Sequence, residues 1–215
     1  MSKNNLKIFS KKVNGTLLFD YNLKKTNWFN IGGNAKAFFK PENLKDLIFF
    51  LKNFGNKEKI FILGAGSNIL VKDNGFDGVV IKLGKNFSNI SNLKKNIIVA
   101  GSAALDKKVS EFASENNIGC LEFLSCIPGT IGGGIRMNSG CFGSEFKDIL
   151  LSVQAIDRTG KVLTIPSSKI KFEYRNISLP RDLIFLSASF KGKLKKKSMI
   201  KKDMEYFKTK KDEAQ

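Results

Sequence analysis

Residues 126–143, CIPGTIGGGIRMNSGCFG, place six glycines in eighteen positions. Glycine inside regular structure costs roughly 0.5–1 kcal/mol relative to alanine, so such a cluster must be offset by something only glycine allows. That is either a positive φ or a backbone lying close against another body. Pro128-Gly129 sets a turn, TIGGGI has too little bulk to fill a core, and Arg136 and Asn138 stand beside it. Close packing of a helix on a sheet accounts for a triple glycine alone. It does not account for a second glycine loop, LGAGSN at 63–68, between two strand-like runs. Successive backbone N–H groups in such a turn form a concave anion site, to which Ser67 and Asn68 add donors. This second loop is not a dinucleotide fingerprint, because Ile69 stands where the third glycine of GxGxxG belongs, and it lacks the GK[ST] of a P-loop. Alone it reads equally well as a hairpin turn. Together the two segments describe a cradle for a large, planar, phosphate-bearing ligand.

The chain has 215 residues, 42% hydrophobic and 26% charged, which describes a folded protein of one large domain or two small ones. MSKNNLKIFSKKV has no apolar run that could serve as a signal peptide, and DLIFFL at 46–51 is too short to span a bilayer. A soluble, cytoplasmic chain with no membrane partner is expected. Three cysteines without CxxC spacing and the absence of histidine exclude a Cys/His zinc site and a His-based triad. No metal is expected, and the cysteines read as buried free thiols. Acid–base chemistry must then use Lys, Tyr, Ser, Cys or carboxylates. A net charge of +18 would suit a polyanion. Only four of the 37 basic residues are arginine, however, whereas nucleic-acid sites favour arginine for bidentate contacts. The reading is a solvated lysine-rich surface and no nucleic-acid partner, compatible with a small anionic substrate.

Along the chain, AKAFFKP (35–41) reads as a strand and PENLKDLIFFLKNFGN as a helix with Pro41 at its start and Gly55 as its stop. KIFILGAGSNILV (59–71) reads as strand, glycine turn, strand, and FDGVVIKL (76–83) as another strand. NIIVAGSAA (96–104) is strand-like, and LDKKVSEFASENN (105–117) is an amphipathic helix. LLSVQAIDRTGKVLTI (150–165) reads as a hairpin with Thr159-Gly160 in its turn, and LIFLSASFKG (183–192) as a further strand. Hairpins with interspersed helices indicate an α+β fold. From Lys195 onward, Ile200, Met204 and Phe207 recur at helical spacing on one face with no terminating Gly, Asn or Pro. The chain reads as stopping in mid-element. The expected organisation is an N-terminal arm at 1–20, subdomains at 21–84 and 85–192, and the start of a further domain at 193–215.

FEYRN (172–176) adds Tyr174 and one of the scarce arginines, Arg175. A phenol can donate to an oxyanion, and a guanidinium offers a fixed fork to a carboxylate or phosphate. From this stretch alone, an exposed strand-end arginine is the favoured reading. TNWFNIGGNA (26–35), ILGAGSNILV (62–71), IPGTIGGGIRMNSGCFG and FEYRN occur in the order and spacing of the UDP-N-acetylenolpyruvoylglucosamine reductases, which the chain resembles from about residue 20 to its end.

That resemblance implies the two-subdomain FAD-binding fold of the vanillyl-alcohol-oxidase (PCMH) type. It implies that Gly64, Ala65, Gly66, Ser67 and Asn68 cradle the FAD pyrophosphate. Ile127, Pro128, Gly129, Thr130, Gly133, Gly134, Asn138 and Gly140 would line the flavin and its ribityl chain. Arg175 would be catalytic, near the enolpyruvyl carboxylate, with Tyr174 beside it at the substrate. The implied chemistry is reduction of FAD by NADPH, then of the UDP-N-acetylglucosamine enolpyruvate double bond, in peptidoglycan precursor synthesis. The family's serine proton donor, in a Gly-Ser-Thr-Phe type motif, and its C-terminal glutamate do not occur in these 215 residues. The sequence is therefore expected to be a truncated form that does not complete turnover alone. A non-catalytic FAD-binding or split-enzyme subunit, another FAD oxidoreductase, and a basic nucleic-acid-binding protein are the alternatives.

Overall fold

The computed structural model describes residues 3–93 and 96–214, and the chain falls into two units. The first comprises Met1–Asn86, Ile156–Leu163 and Arg181–Ile184. Its stretch before residue 20, read from sequence as an arm, contains a helix, α1 (Lys3–Ser10), with Leu6 and Phe9 buried. Strand β1 (Thr16–Asn22) follows and pairs antiparallel with β2 (Asn34–Lys40), whose Ala35, Ala37, Phe38 and Phe39 are all buried. Helix α2 (Leu44–Phe54), β3 (Ile60–Ile62) and β4 (Phe76–Ile81) complete a four-stranded sheet of order β1-β2-β4-β3, in which β4 runs parallel to both neighbours. The second strand expected at 68–71 does not form, and the chain there runs as irregular loop. Phe9 stacks on Phe49 of α2 at 4.9 Å and meets Phe54 edge-on at 4.7 Å, which is how α1 is held.

Asp46, in the first turn of α2, ties this unit's start together. Its backbone N–H donates to the Asn43 side chain, the helix cap, at 3.1 Å. Its buried carboxylate accepts the N–H groups of Asn14 (3.0 Å), Gly15 and Glu42 (3.2 Å). Ile156–Leu163 supplies the tip of the expected hairpin. Asp157 Oδ1 accepts from the Thr159 and Lys161 N–H groups, and Gly160 takes φ +86°.

The second unit comprises Phe87–Ala155, Thr164–Pro180 and Phe185–Gln215. After β5 (Ile90–Leu93) and β6 (Ile97–Gly101) comes α3 (Asp106–Glu115), which buries Val109 and Ala113, then the short β7 (Ile118–Gly119). A 3-10 turn, Glu122–Cys126, leads to α4 (Ile131–Arg136), a tight hairpin of β8 (Gly140–Cys141) and β9 (Ser144–Glu145), and α5 (Phe146–Ile149). The hairpin strands β10 (Leu150–Ile156) and β11 (Val162–Pro166) precede a second tight hairpin, β12 (Phe172–Glu173) and β13 (Asn176–Ile177). Strand β14 (Ile184–Lys191), β15 (Lys193–Leu194) and α6 (Lys197–Ala214) close the chain. The main sheet has the order β11-β10-β14-β6-β5, with Ala188 of β14 opposite Ala100 of β6. The α+β class read from the sequence is the observed one.

Helix α6 finds the packing its apolar stripe requires. Ile200 is buried, the Phe207 ring lies parallel to that of Phe142 at 5.4 Å, and Lys211 Nζ donates to the Cys126 carbonyl at 3.2 Å. At its start, Lys195 pairs with Glu122 and Asp203.

Removing the Asp46 carboxylate leaves three backbone donors in a part-buried place without their acceptor. Leaving one buried donor unsatisfied costs about 1–3 kcal/mol. Asp46→Ala is therefore expected to lower stability by at least about 2 kcal/mol, read by urea denaturation followed by circular dichroism. An unchanged midpoint would show that water replaces the carboxylate.

Candidate functional site

In the first unit, LGAGSN begins where β3 ends, with the Leu63 N–H bonded to the Ile81 carbonyl at 2.9 Å. Gly66 takes φ +75°, and a Cβ there would collide with the Thr26 carbonyl. Its own carbonyl accepts the Trp28 N–H at 3.0 Å, so the glycine turn and TNWFNIGG are one structure. Asn27 is buried and donates to the Leu23 and Ile31 carbonyls, both at 2.9 Å, while its Oδ1 has no partner among the described residues. Around this turn Trp28, Phe29, Ile31 and Leu70 are exposed, and Trp28 keeps 61% of its surface. Gly64, Ala65 and Ser67 are half-buried, Gly66 is buried and Asn68 is exposed.

In the second unit the glycine segment is not the open loop its composition suggests, since Ile131–Arg136 forms α4. Its glycines divide into two kinds. A Cβ at Gly134 would enter the Phe146 ring, one at Gly140 the Ser144 carbonyl, and one at Gly129 would lie 2.8 Å from Asp106 Oδ2. At Gly132 it would press on Ser102 Cβ at 3.1 Å, where the Gly132 N–H also bonds the Ser102 carbonyl at 2.8 Å. These glycines answer to the protein's own packing. Gly133 does not: it is exposed, and the nearest atom to its Cβ position is Thr130 Oγ1 at 3.7 Å. It presents bare backbone outward.

Arg136, planted in the same segment, donates to the Leu179 and Pro180 carbonyls at 3.2 and 3.0 Å and lies over the Phe185 ring at 4.3 Å. Tyr174 and Arg175 form the tip of the β12–β13 hairpin. Arg175 adopts φ +56°, a region a residue with a side chain enters only under constraint. Both are exposed, Tyr174 at 87%, and the guanidinium has no ion pair among the described residues. A cavity of about 230 Å³ is lined by Asn138, Gly140, Cys141, Glu145, Tyr174 and Arg175, among others. The structure therefore brings four of the residues singled out from the sequence, Asn138, Gly140, Tyr174 and Arg175, to one place.

Sequence reading missed Ser102 and Asp106. Both are buried beside the 129–132 turn, and the Ser102 Oγ and both Asp106 carboxyl oxygens have no hydrogen-bond partner among the described residues. Burial pushes the Asp106 carboxyl well above the usual carboxylate range. In the sequence it reads only as an acid in an ordinary first helical turn. The cysteines differ from their reading as well: all are free, but Cys120 is exposed, Cys141 half-buried and only Cys126 buried. Burial, then the neighbouring Cys126, raises the Cys141 thiol to about 11. Among the described residues no His/Cys/Asp/Glu cluster could hold a metal ion, and no helix is long and apolar enough to cross a membrane.

A family profile described as "FAD binding domain" matches residues 35–166. The UDP-N-acetylenolpyruvoylglucosamine reductase of Pelagibacter ubique (strain HTCC1062) is 62% identical over the whole chain, which spans 71% of that relative. The chain belongs to the UDP-N-acetylenolpyruvoylglucosamine reductase family. The reductase of Rickettsia canadensis (strain McKiel) is 49% identical over 83% of the chain, which covers 60% of that protein's length. Among solved structures, the Thermus caldophilus UDP-N-acetylenolpyruvylglucosamine reductase (MurB) superposes with a TM-score of 0.79 at 26% identity, over 93% of this chain and 70% of that one. Physcomitrella patens BBE-like 1, at 20% identity and a TM-score of 0.60, shares the fold. The family is one of flavin oxidoreductases, and the two-part FAD-binding architecture expected from sequence is the one present. The residues fit such a cofactor. Gly133 offers a face without side chains, and Ser102 and Asp106, next to Gly132 and Gly129, hold side-chain oxygens that have no hydrogen-bond partner among the described residues.

Two measurements check this sorting. Gly134→Ala forces the Phe146 ring to move, at a cost of about 1–3 kcal/mol for overpacking. Gly133→Ala has room and gains helix propensity, changing stability by no more than about 1 kcal/mol, in the favourable direction. Equal loss in both melting curves would contradict the distinction. For Asp106, the folded chain keeps a proton that the unfolded chain releases near pH 3.9, so stability from this group falls as pH rises above about 4. Asp106→Asn should therefore stabilise the protein at pH 8, by an amount that shrinks toward pH 4. A gain independent of pH would mean that Asp106 ionises normally.

Proposed function

We propose that this chain binds FAD and takes part in the NADPH-dependent reduction of UDP-N-acetylglucosamine enolpyruvate to UDP-N-acetylmuramate, a cytoplasmic step of peptidoglycan precursor synthesis that supports cell shape and division. The outward-facing bare backbone at Gly133, inside a segment shared with relatives named for this reaction, carries the reading. Gly64, Ala65, Gly66, Ser67 and Asn68 offer N–H and side-chain donors to the pyrophosphate. Ile127, Pro128, Thr130 and Gly133 form the second unit's contribution to the cofactor, with Gly129, Gly134 and Gly140 acting through the close packing that presents them. When bound, FAD would supply the hydride chemistry that links NADPH to the enolpyruvyl double bond.

Arg175 supplies the electrostatics. As hydride adds to the vinyl carbon, negative charge develops on the adjacent carbon and spreads into the substrate carboxylate. A guanidinium held at the rim of the cavity by its hairpin, without an ion pair of its own, binds that carboxylate in a bidentate manner and stabilises the added charge. Tyr174, on the same tip, offers a phenolic donor to the same ligand.

The purified chain with FAD should show a bound flavin spectrum that bleaches with NADPH under anaerobic conditions. A soluble, cooperatively melting chain that takes up no FAD would overturn the reading. Gly133→Val should lose FAD without losing its melting transition. Arg175→Ala should keep FAD but require at least about tenfold more substrate to perturb the flavin spectrum, as expected for loss of a charged hydrogen bond of about 1.5–3 kcal/mol. Loss of FAD from Arg175→Ala would assign that residue to the cofactor instead.

A further inference from the structure

The sequence resemblance sets Asn138 against the cofactor, yet its side chain is buried and already engaged. Nδ2 donates to Glu145 Oε2 at 2.6 Å and to the Glu173 carbonyl at 3.4 Å, while Oδ1 accepts the Lys147 N–H at 3.0 Å. A primary amide has two N–H donors and one acceptor oxygen, so both donors and one lone pair are in use. The partners lie in three places: the end of β9, the start of α5 and the end of β12. Glu173 immediately precedes the Tyr174-Arg175 tip. Asn138 itself sits at φ +40°, a conformation that asparagine tolerates better than most residues, and this turns its amide inward.

Charge gives this arrangement its consequence. The same cavity is lined by Glu145 and by Arg175, one carboxylate and one guanidinium. Were these two to pair, the site would be closed to an incoming anion. Instead Glu145 Oε2 is held by Lys147 Nζ at 2.9 Å and by Asn138, and these contacts, Lys147 first, keep the carboxyl below its usual range.

We infer that Asn138 is a positioning residue rather than a cofactor contact: it braces the Arg175 hairpin against the β8–β9 segment and, with Lys147, occupies Glu145 so that Arg175 remains free for the substrate carboxylate. The purpose of the free guanidinium rests on the proposed function, whereas the brace itself does not.

The test uses the full chain with FAD, in wild type, Asn138→Asp, Glu145→Gln and the double variant. Aspartate keeps the tolerated backbone conformation but sets a second carboxylate against Glu145, whereas glutamine at 145 restores a donor to it. Amide hydrogen exchange at 172–177 should rise at least about tenfold in Asn138→Asp, as expected when a buried hydrogen-bond network is broken. It should stay near wild type in Glu145→Gln and remain raised in the double variant, because an aspartate at 138 has no N–H for the Glu173 carbonyl whatever stands at 145. Bound FAD per chain should be equal in all four. Unchanged exchange in Asn138→Asp, or a rise in Glu145→Gln equal to that in Asn138→Asp, would overturn the brace. Loss of FAD with an unmoved hairpin would make Asn138 a cofactor contact. If Asn138→Asp alone fails to melt cooperatively, the double variant decides by the same two readouts. Absence of FAD from the wild type would remove the functional reading and leave the exchange data to judge the brace.

Discussion

The Phe146 ring fills the space that a side chain at position 134 would need, and much of the second unit follows from that contact. Helix α4 can approach Phe146 and Ser102 only because two of its faces are bare backbone. Side chains at 132 or 134 would lift it off the turn that follows β6, breaking the bonds from the Ile131 and Gly132 N–H groups to the Ala104 and Ser102 carbonyls, now 2.9 and 2.8 Å long. Once α4 is seated, Gly133 has nowhere to point but outward. A surface without side chains is thus a by-product of close internal packing, and it is the surface a planar cofactor can use.

Polar groups around this surface are treated in opposite ways. Asn138, Glu145 and Lys147 satisfy one another, and Arg136 is occupied by two carbonyls and a phenyl ring. Among the described residues, the Ser102 hydroxyl and the Asp106 carboxyl have no hydrogen-bond partner and Arg175 has no ion pair. A buried polar atom without a hydrogen bond costs about 1–3 kcal/mol, so leaving Ser102 and Asp106 unpaired needs a compensating reason. The contrast separates groups that hold the site from groups able to meet a ligand. Arg136 and Arg175 are the same residue type in the sequence, and only their surroundings tell them apart.

Much was legible from local pattern. The hairpin with Thr159-Gly160 at its turn, the helices after Asn43 and Leu105, the strand at 184–191 and the terminal helix all form where periodicity and turn residues put them. These features depend on neighbours within a few positions. Helix α1 was missed because its packing partners, Phe49, Phe50 and Phe54, lie outside its own stretch. A second strand at 68–71 was expected from its apolar residues, but Leu70 is exposed and no strand forms there. Helix α4 was hidden because glycine is a poor helix former, and only contact with Phe146 and Ser102 makes the choice favourable.

The sequence by itself determined the chemical inventory: two glycine-rich segments, no histidine, four arginines, and motifs in an order that marks the family. Composition and short-range spacing are enough for that, because turns, caps and motif order are local. Tertiary structure decided that Gly133 faces outward, that Arg136 is engaged while Arg175 has no ion pair among the described residues, and what Asn138 holds. Those outcomes depend on Phe146, Ser102, Leu179 and Glu173, residues of separate elements that only the folded chain brings within reach. No spacing rule along the chain encodes a collision with a ring or a lone pair already taken.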